Sequence, residues 1–191
     1  MPIIKFNNLK IHYLDEGKGE PLILLHGLSD SSNFWKPLIN EFSKEYHLIV
    51  PDLRGHGISS KNVRISMKLF TQDLYNLVDK LDIQDAHIFG FSLGALIAQN
   101  FSLEYPQNVK SLVLLSAFSH CKPQLQDTFK KLEKITFNEG ISGFFDMMIK
   151  LVYTPEFILD HDEIYTYKET AIKMNSTYAL LQSLNLVWIL T

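Results

Sequence analysis

The segment GFSLG at residues 90–94 restricts the possible folds of this chain more than any other part of it. An apolar run at residues 86–89 precedes it, and small and apolar residues at 95–101 follow it, which predicts a strand, a sharp turn and a helix. Such a turn needs glycine on both sides of Ser92, because the strand and the helix approach too closely for larger side chains. The turn therefore places Ser92 at its tip and the N–H of Leu93 at the positive end of the helix dipole.

A serine in this position is suited to covalent catalysis. Its hydroxyl is a weak nucleophile at neutral pH, so an enzyme must expose it, remove its proton and stabilise the oxyanion that forms. The turn exposes Ser92 and supplies the N–H of Leu93 for the oxyanion. An alternative is the glycine-rich loop of a dinucleotide-binding protein, but the G-x-G-x-x-G fingerprint of that class is not met here. The motif thus favours a nucleophile elbow.

The composition excludes several classes of protein. The 191 residues are 46% hydrophobic and 20% charged with a net charge of −3, which indicates one soluble domain and argues against nucleic-acid binding. Residues 1–6 lack the basic region and the long apolar region of a signal peptide. Cys121 is the single cysteine, so no intrachain disulfide is expected. We therefore expect a cytoplasmic protein that contacts neither nucleic acid nor a membrane.

Strand and helix patterns alternate over residues 1–117. Two β-prone segments flank an asparagine-rich turn and predict a hairpin at residues 3–14. Continuous apolar runs, typical of strands buried on both faces of a parallel sheet, occur at residues 21–25, 47–50, 86–89 and 109–116. Helical periodicity occurs between and after them, at residues 34–42, 70–81 and 95–105. The pattern predicts an α/β core with a mostly parallel sheet and flanking helices.

The remainder of the chain has a different character. Residues 118–186 contain four helical patterns and no buried-strand run, which predicts a helical cap on the α/β core. We expect the phenylalanine and methionine side chains of these helices to serve mainly the packing of the cap. Residues 187–191 are apolar and too short to span a membrane, so we interpret them as an aberrant tail.

Three segments together resemble the α/β-hydrolase-fold family, and in particular its esterase-like and lactonase-like members with a serine nucleophile. They are LILLHGL at residues 22–28, PDLRGHGIS at residues 51–59 and GFSLG at residues 90–94. The resemblance implies that Ser92 is the nucleophile and that the N–H groups of Leu28 and Leu93 form the oxyanion hole. The residues that it assigns to the supporting loops are His26, Gly27, Gly90 and Gly94.

The resemblance also implies structural rather than catalytic roles for four polar residues in the loops after the first two buried strands. His26 is expected to support the first loop by hydrogen bonding, and His56 to be structural as well. Arg54 and Asp52 are expected to hold the loop at residues 51–59 in place.

The sequence departs from the family pattern after the cap. In that family the catalytic acid and then the histidine follow the serine, after later strands. The chain stops before either, so we expect a truncated α/β-hydrolase fold that lacks its C-terminal strands, its acid and its base. His120 follows the strand at 109–116, should reach the same rim as Ser92, and is the one substitute base that the chain offers. His161 lies in an acidic stretch typical of a helix start, not of a metal site.

Three functions remain open. The first is a lineage that hydrolyses an ester, thioester or lactone of a small apolar carboxylic acid, with this chain inactive alone. The second is a non-catalytic fragment or binding domain, and the third is a half-enzyme completed by another chain. None of them calls for a metal or an organic cofactor. The strand at 109–116 is expected to form an open apolar edge, through which we expect self-association.

Overall fold

A six-stranded sheet forms the centre of the molecule. The computed structural model describes residues 2–6 and 8–189, the side chains of residues 187–189 excepted. The strands are β1 (Ile3–Phe6), β2 (Leu9–Glu16), β3 (Glu20–Leu25), β4 (Tyr46–Pro51), β5 (Ala86–Phe91) and β6 (Val109–Leu115), in the spatial order β1-β2-β4-β3-β5-β6. β1 and β2 form an antiparallel hairpin, β2 and β4 are antiparallel, and β4, β3, β5 and β6 run parallel. The predicted α/β fold and hairpin are confirmed, although Asn7 of the predicted turn lies outside the described residues.

Seven α-helices accompany the sheet in the described part of the chain. They are α1 (Lys36–Phe42), α2 (Met67–Lys80), α3 (Leu93–Glu104), α4 (Pro123–Val152), α5 (Pro155–Asp160), α6 (Glu163–Met174) and α7 (Thr177–Ile189). Local residues stabilise the first turns of two of these helices. The hydroxyl of Ser66 accepts the N–H of Leu69 at the start of α2, and a proline occupies the first turn of α1. The three helices predicted before residue 118 correspond to α1, α2 and α3.

The apolar runs of β3 and β4 are buried because helices cover these central strands on both faces. Leu25 and Ile49 point to the side of α2 and α3, where they join a cluster with Phe70 and Phe101. On the other side, a second cluster contains Leu24, Leu48 and Val50, packed around Trp35 of a short 3-10 helix. Burial on both faces explains why these strands lack the alternation of polar and apolar residues seen in half-exposed strands. The run at residues 109–116 was also predicted to be buried, and this prediction is wrong: β6 is the last strand of the described sheet and most of its side chains are exposed.

The helices after residue 118 form their own apolar cluster, as predicted. Its buried members are Leu132, Phe144, Phe145, Ala171, Leu180 and Leu184. The two helical patterns on either side of residue 140 lie in two helical segments of α4, which are separated by a kink where Gly140 adopts the non-helical angles φ 69° and ψ −163°. The helix α5 was not predicted, because its six residues are too few to show a periodic pattern.

The last helix continues beyond the predicted end of the cap. α7 extends to Ile189, so the boundary predicted at residue 187 falls inside a helix, and Leu190 and Thr191 lie outside the described residues. Five apolar residues are too few to show a helical period, which is why the sequence pattern indicated a tail rather than the last turn of a helix. None of the described helices has the length and apolarity needed to cross a membrane.

Candidate active site

Ser92 occupies the turn between β5 and α3, as the sequence predicts. Its backbone adopts φ 51° and ψ −114°, a conformation that residues other than glycine rarely adopt. The turn is fixed on both sides: the N–H of Ser92 donates to the carbonyl of Leu115 at 2.9 Å, and the N–H groups of Ala95 and Leu96 donate to the carbonyl of Ser92. Backbone strain of this kind persists only where the surroundings enforce it, and it is concentrated at functional sites.

The flanking glycines are required by close contacts between backbones. A Cβ atom on Gly90 would lie 2.5 Å from the carbonyl oxygen of Gly94 and 2.6 Å from the nitrogen of Ala95. A Cβ atom on Gly94 would overlap with the carbonyl oxygen of Leu25 at the end of β3. Neither neighbour can move aside, because each belongs to the backbone of a paired strand or of the elbow itself.

Gly27 brings the loop after β3 against the elbow. A Cβ atom at this position would lie 3.0 Å from the ring of Phe91 and 3.5 Å from Cβ of Ser92. The ring of Phe91 is itself held by stacking on Phe34, with 4.6 Å between the ring centroids. The loop that carries Leu28 therefore lies beside Ser92.

The backbone N–H groups of Leu28 and Leu93 have no partners within the described residues. Leu93 is the first residue of α3, so its N–H has no carbonyl available in the preceding turn. Leu28 is half-buried, and the backbone and side-chain hydrogen bonds of the described residues include none from its N–H. Two unused donors on adjacent loops are suited to bind one oxygen atom of a ligand.

His26 holds the loop after β3 in place through two hydrogen bonds. Its Nε2 accepts the N–H of Leu53 at 3.0 Å, so its proton lies on Nδ1, which donates to the carbonyl of Gly27 at 2.8 Å. The ring is fully buried, and this burial lowers the pKa of His26 below its ordinary value. Both nitrogens are occupied, so His26 positions the loop and has no nitrogen free for Ser92.

Asp52 organises the loop at residues 51–59. Its carboxylate accepts the N–H of Ser32 at 2.7 Å and the N–H of Ile58 at 2.8 Å, and it lies so close to Gly57 that no Cβ atom fits there. The hydroxyl of Ser59 donates to the Asp52 carbonyl at 2.7 Å. One carboxylate thus ties together the segments that follow β3 and β4.

Arg54 and His56 complete the same loop. The guanidinium of Arg54 makes two hydrogen bonds of 2.5 Å to Asp73 of α2, and a third to the carbonyl of Arg64 at 2.9 Å. His56 is buried, bonds through Nδ1 to the Arg54 carbonyl, and lies 5.5 Å from the His26 ring. Burial, and then the neighbouring His26, lower the pKa of His56 to about 3. Both side chains therefore stabilise the loop.

No described side chain makes a hydrogen bond with the Ser92 hydroxyl. His47 and His87 lie near the amino ends of their strands, where His47 bonds to Asp15, and His87 bonds to Glu20 and Ser111. His120 is exposed in the loop after β6, and His161 stacks on Phe157 in the cap. The described residues likewise contain no group of three or more His, Cys, Asp or Glu suited to a metal ion.

The cap is fastened to the loop that carries Leu28. The side-chain amide of Asn175 donates to the carbonyl of Ser29 at 2.8 Å, across 146 positions of sequence. Leu28 also packs against the apolar cluster of the cap. Further from the site, Gln182 of α7 accepts the N–H of Ile65 at 3.1 Å. The cap therefore contacts the rim on which Ser92 stands.

Sequence reasoning missed Asn175, Gln182 and Asp30. Asn175 and Gln182 gave no signal, because a single amide in a helical segment does not indicate its tertiary partner. Asp30 follows the loop of Leu28, accepts the N–H of Ser31 at 3.0 Å, and has its pKa raised by burial. The sequence could have indicated Asp30 only through its position two residues after Leu28.

Comparisons with known proteins identify the family of the chain. The family model of the alpha/beta hydrolase fold matches residues 20–149. A putative carbamate hydrolase, RutD of Azorhizobium caulinodans, is 23% identical over 170 residues, which are 88% of this chain and 64% of that protein. An uncharacterized carboxylesterase of Bacillus subtilis, nap, is 34% identical over 131 residues, which are 68% of this chain and 44% of that protein. The chain thus spans less than two thirds of the length of these relatives.

Solved structures share the fold over nearly the whole described chain. The enol-lactonase of Burkholderia xenovorans LB400 has a TM-score of 0.86 at 17% identity, over 98% of this chain and 74% of that chain. MGS-M2, an alpha/beta hydrolase from a deep-sea metagenome library, has a TM-score of 0.85 at 24% identity, over 98% of this chain and 72% of that chain. At these identities the likeness shows a common fold.

Proposed function

The chain belongs to the alpha/beta hydrolase fold family, and from this premise we propose that it carries the nucleophile and the oxyanion donors of a serine-dependent hydrolase. The substrate class is an ester, thioester or lactone of a small, mostly apolar carboxylic acid. The observation that carries the proposal is the strained backbone of Ser92, held at φ 51° by hydrogen bonds from both sides. We attribute this conformation to presentation of the hydroxyl, because backbone strain of this kind is concentrated at functional sites.

In the proposed reaction, Oγ of Ser92 attacks the carbonyl carbon of the substrate. The carbonyl oxygen takes up the negative charge and accepts hydrogen bonds from the N–H groups of Leu28 and Leu93. Collapse of the intermediate expels the alcohol or thiol and leaves an acyl group on Ser92, which water then removes. A base must take the proton of Ser92 in the first step and return it to the leaving group.

The described residues place no such base against Ser92, so the proposal includes near-zero turnover by this chain alone. In serine proteases, loss of the histidine alone lowers kcat by about 10⁶-fold, while oxyanion donors and binding retain about 10³-fold to 10⁴-fold over water. His120 is the one substitute base that the sequence predicts, but no hydrogen bond joins it to Ser92 among the described residues.

A second candidate is a half-enzyme whose acid and histidine come from another polypeptide. One observation favours it: the Ser92 hydroxyl and the two N–H groups lack partners within the described residues, although hydrogen bonds of His26 and Asp52 hold the neighbouring loops in place. The relatives compared above, a putative carbamate hydrolase and an uncharacterized carboxylesterase, are both longer than this chain.

Labelling with a fluorophosphonate probe tests the proposal. Slow labelling that Ser92→Ala abolishes and Ser119→Ala leaves unchanged supports an accessible nucleophile with weak activation. Fast labelling in stoichiometric amounts contradicts the absence of a base. Labelling that persists in Ser92→Ala contradicts the assignment of Ser92.

A further inference from the structure

We propose that Asp30 binds an ammonium group of the substrate, next to the oxyanion donor of Leu28. The inference rests on the function proposed above and narrows its substrate class. Because the acyl group is proposed to be small and apolar, the ammonium group belongs to the leaving alcohol or thiol. The substrate is then an ester or thioester of an amino alcohol or amino thiol.

Asp30 lies in the turn that follows the Leu28 donor. Its N–H donates to the carbonyl of Gly27 at 3.3 Å, and Oδ1 of its carboxylate accepts the N–H of Ser31 at 3.0 Å. Oδ2 accepts no hydrogen bond from the described residues, and the side chain is only half-buried, so a ligand can reach it. Two peptide units join Leu28 to Asp30, which keeps their Cα atoms within about 7 Å of one another. A ligand at the oxyanion donor is therefore close to this carboxylate.

The charge of Asp30 is not paired within the described part of the chain. Two partly buried cations have other partners, because Arg54 pairs with a carboxylate of α2 and Lys168 with one of α4, at 2.5 Å each. The neighbouring His26 does not supply a charge at neutral pH, since burial lowers its pKa. Burial is also the main cause that raises the pKa of Asp30 above its ordinary value. A carboxylate that has lost part of its water and has no paired cation is stabilised when a ligand brings one.

The cap places an aromatic ring beside this carboxylate. Asn175, at the end of α6, bonds to the Ser29 carbonyl and so holds α6 at the loop of Asp30. Burial and then the charge of Asp30 raise the pKa of the Tyr167 hydroxyl, so this residue of α6 lies near the carboxylate. The ring of Tyr167 packs edge-on against Phe145, with 6.5 Å between the centroids, and the residue is still 48% exposed. Part of the ring is therefore open to a ligand at Asp30.

A carboxylate beside an aromatic ring is a combination suited to alkylammonium groups. The carboxylate supplies the opposite charge, and the negative face of the ring attracts the same cation. A metal ion is a poorer match, because the described residues contain no group of three or more His, Cys, Asp or Glu suited to one. An anionic group is opposed by Asp30 and by the nearby charge of Asp52. These contacts therefore favour an organic cation.

Binding of choline tests this site without any reaction at Ser92. Calorimetric titration should show saturable binding at roughly millimolar concentrations to the unmodified chain and equally to Ser92→Ala. Asp30→Asn keeps the size of the side chain and removes its charge, so the dissociation constant should rise about tenfold or more. Asp160→Asn, at an exposed carboxylate of α5, is the matched control and should bind choline like the unmodified chain. No binding by the unmodified folded chain, or equal binding by Asp30→Asn, overturns the proposal.

The tyrosine ring is tested in the same titration. Tyr167→Ala should weaken choline binding about threefold or more, whereas Tyr167→Phe, which keeps the ring, should retain it. Tyr165→Ala is the matched control, because Tyr165 lies on the same helix and is 53% exposed. Equal binding by Tyr167→Ala and Tyr165→Ala overturns the aromatic part of the site.

Transfer of the acyl group separates this proposal from the one on which it rests. With imidazole present, butyrylthiocholine should acylate Ser92 about tenfold or more faster than S-(3,3-dimethylbutyl) thiobutyrate, which has carbon in place of the charged nitrogen. Asp30→Asn should abolish that preference. Choline binding that depends on Asp30, without acylation of Ser92 by either compound, contradicts the proposed function and supports the ammonium site. Equal acylation by both compounds, unchanged by Asp30→Asn, supports the proposed function and overturns the ammonium site.

Discussion

The backbone N–H of Ser92 donates a hydrogen bond of 2.9 Å to the carbonyl of Leu115, the last residue of β6. This bond holds the tip of the elbow against the sheet in a conformation that a serine does not adopt freely. It also connects the candidate nucleophile directly with the last residue of β6.

The strain at Ser92 has a measurable cost. Glycine adopts positive φ without a Cβ penalty, so Ser92→Gly should be more stable than Ser92→Ala by about 1 kcal/mol. Urea unfolding of the two variants measures the difference. The control is Ser102 in α3, where φ is ordinary and Ser102→Gly should be less stable than Ser102→Ala. Equal stability of the two Ser92 variants contradicts a strained elbow.

The contact between Gly94 and β3 should be intolerant of a methyl group. Gly94→Ala places Cβ against backbone atoms of Leu25 and His26, and we expect a loss of roughly 3 kcal/mol or failure to fold. Gly140→Ala is the matched control, because it also adds Cβ to a glycine, with φ 69° but no atom within 4 Å. Gly140→Ala should cost only about 1 to 2 kcal/mol, from backbone strain at this φ without any steric overlap. Similar losses for both would show that the close approach of the elbow to β3 is not decisive.

Acid should destabilise the protein through its buried histidines. The folded state lowers the pKa of His56 to about 3, from an ordinary value of 6.5, so the unfolded chain binds the proton first as pH falls. The contribution of neutral His56 to the free energy of unfolding is fully present above pH 6.5. It is lost as the pH falls toward 3, by about 1.4 kcal/mol per pH unit. His26, whose pKa is also lowered, adds to the same slope.

Urea unfolding between pH 7 and pH 5 measures this slope, a range in which few carboxylates titrate. His56→Asn should reduce the slope even though it lowers the overall stability. His47→Asn, at an exposed ion pair, is the control and should leave most of it in place. A flat pH profile for the unmodified protein is inconsistent with neutral buried histidines.

The bond between Asn175 and Ser29 should restrain the loop that carries Leu28. Asn175→Ala removes it, and we expect a loss of about 1 kcal/mol together with faster amide hydrogen exchange at residues 28–31. Asn100→Ala is the matched control, since the Asn100 amide bonds only to the Leu96 carbonyl within α3. Unchanged exchange in the Asn175→Ala variant would show that the cap does not hold this loop.

Local patterns in the sequence were sufficient for the sheet and the elbow. Residues 21–25 and 47–50 are apolar without alternation because helices cover them on both faces, and this physical cause can be read from the sequence alone. The glycines around Ser92 could be predicted because the turn excludes side chains for local reasons.

The cap could be predicted only as a set of helices. Its attachment depends on single side chains such as Asn175 and Gln182, whose partners lie more than a hundred residues away in sequence. The continuation of α7 to Ile189 was also not predicted, because the five apolar residues at 187–191 are too few to show a helical period. Tertiary contacts, which leave no periodic signal, decide both features.

The most direct test of the account is acylation of Ser92 by p-nitrophenyl butyrate, followed by mass spectrometry of the intact and digested protein. Imidazole added to the solution supplies the base that no described side chain provides at Ser92. The account predicts one butyryl group on Ser92, formed faster with imidazole and absent in Ser92→Ala. A folded protein that acquires no butyryl group on Ser92 with imidazole present would contradict the central claim.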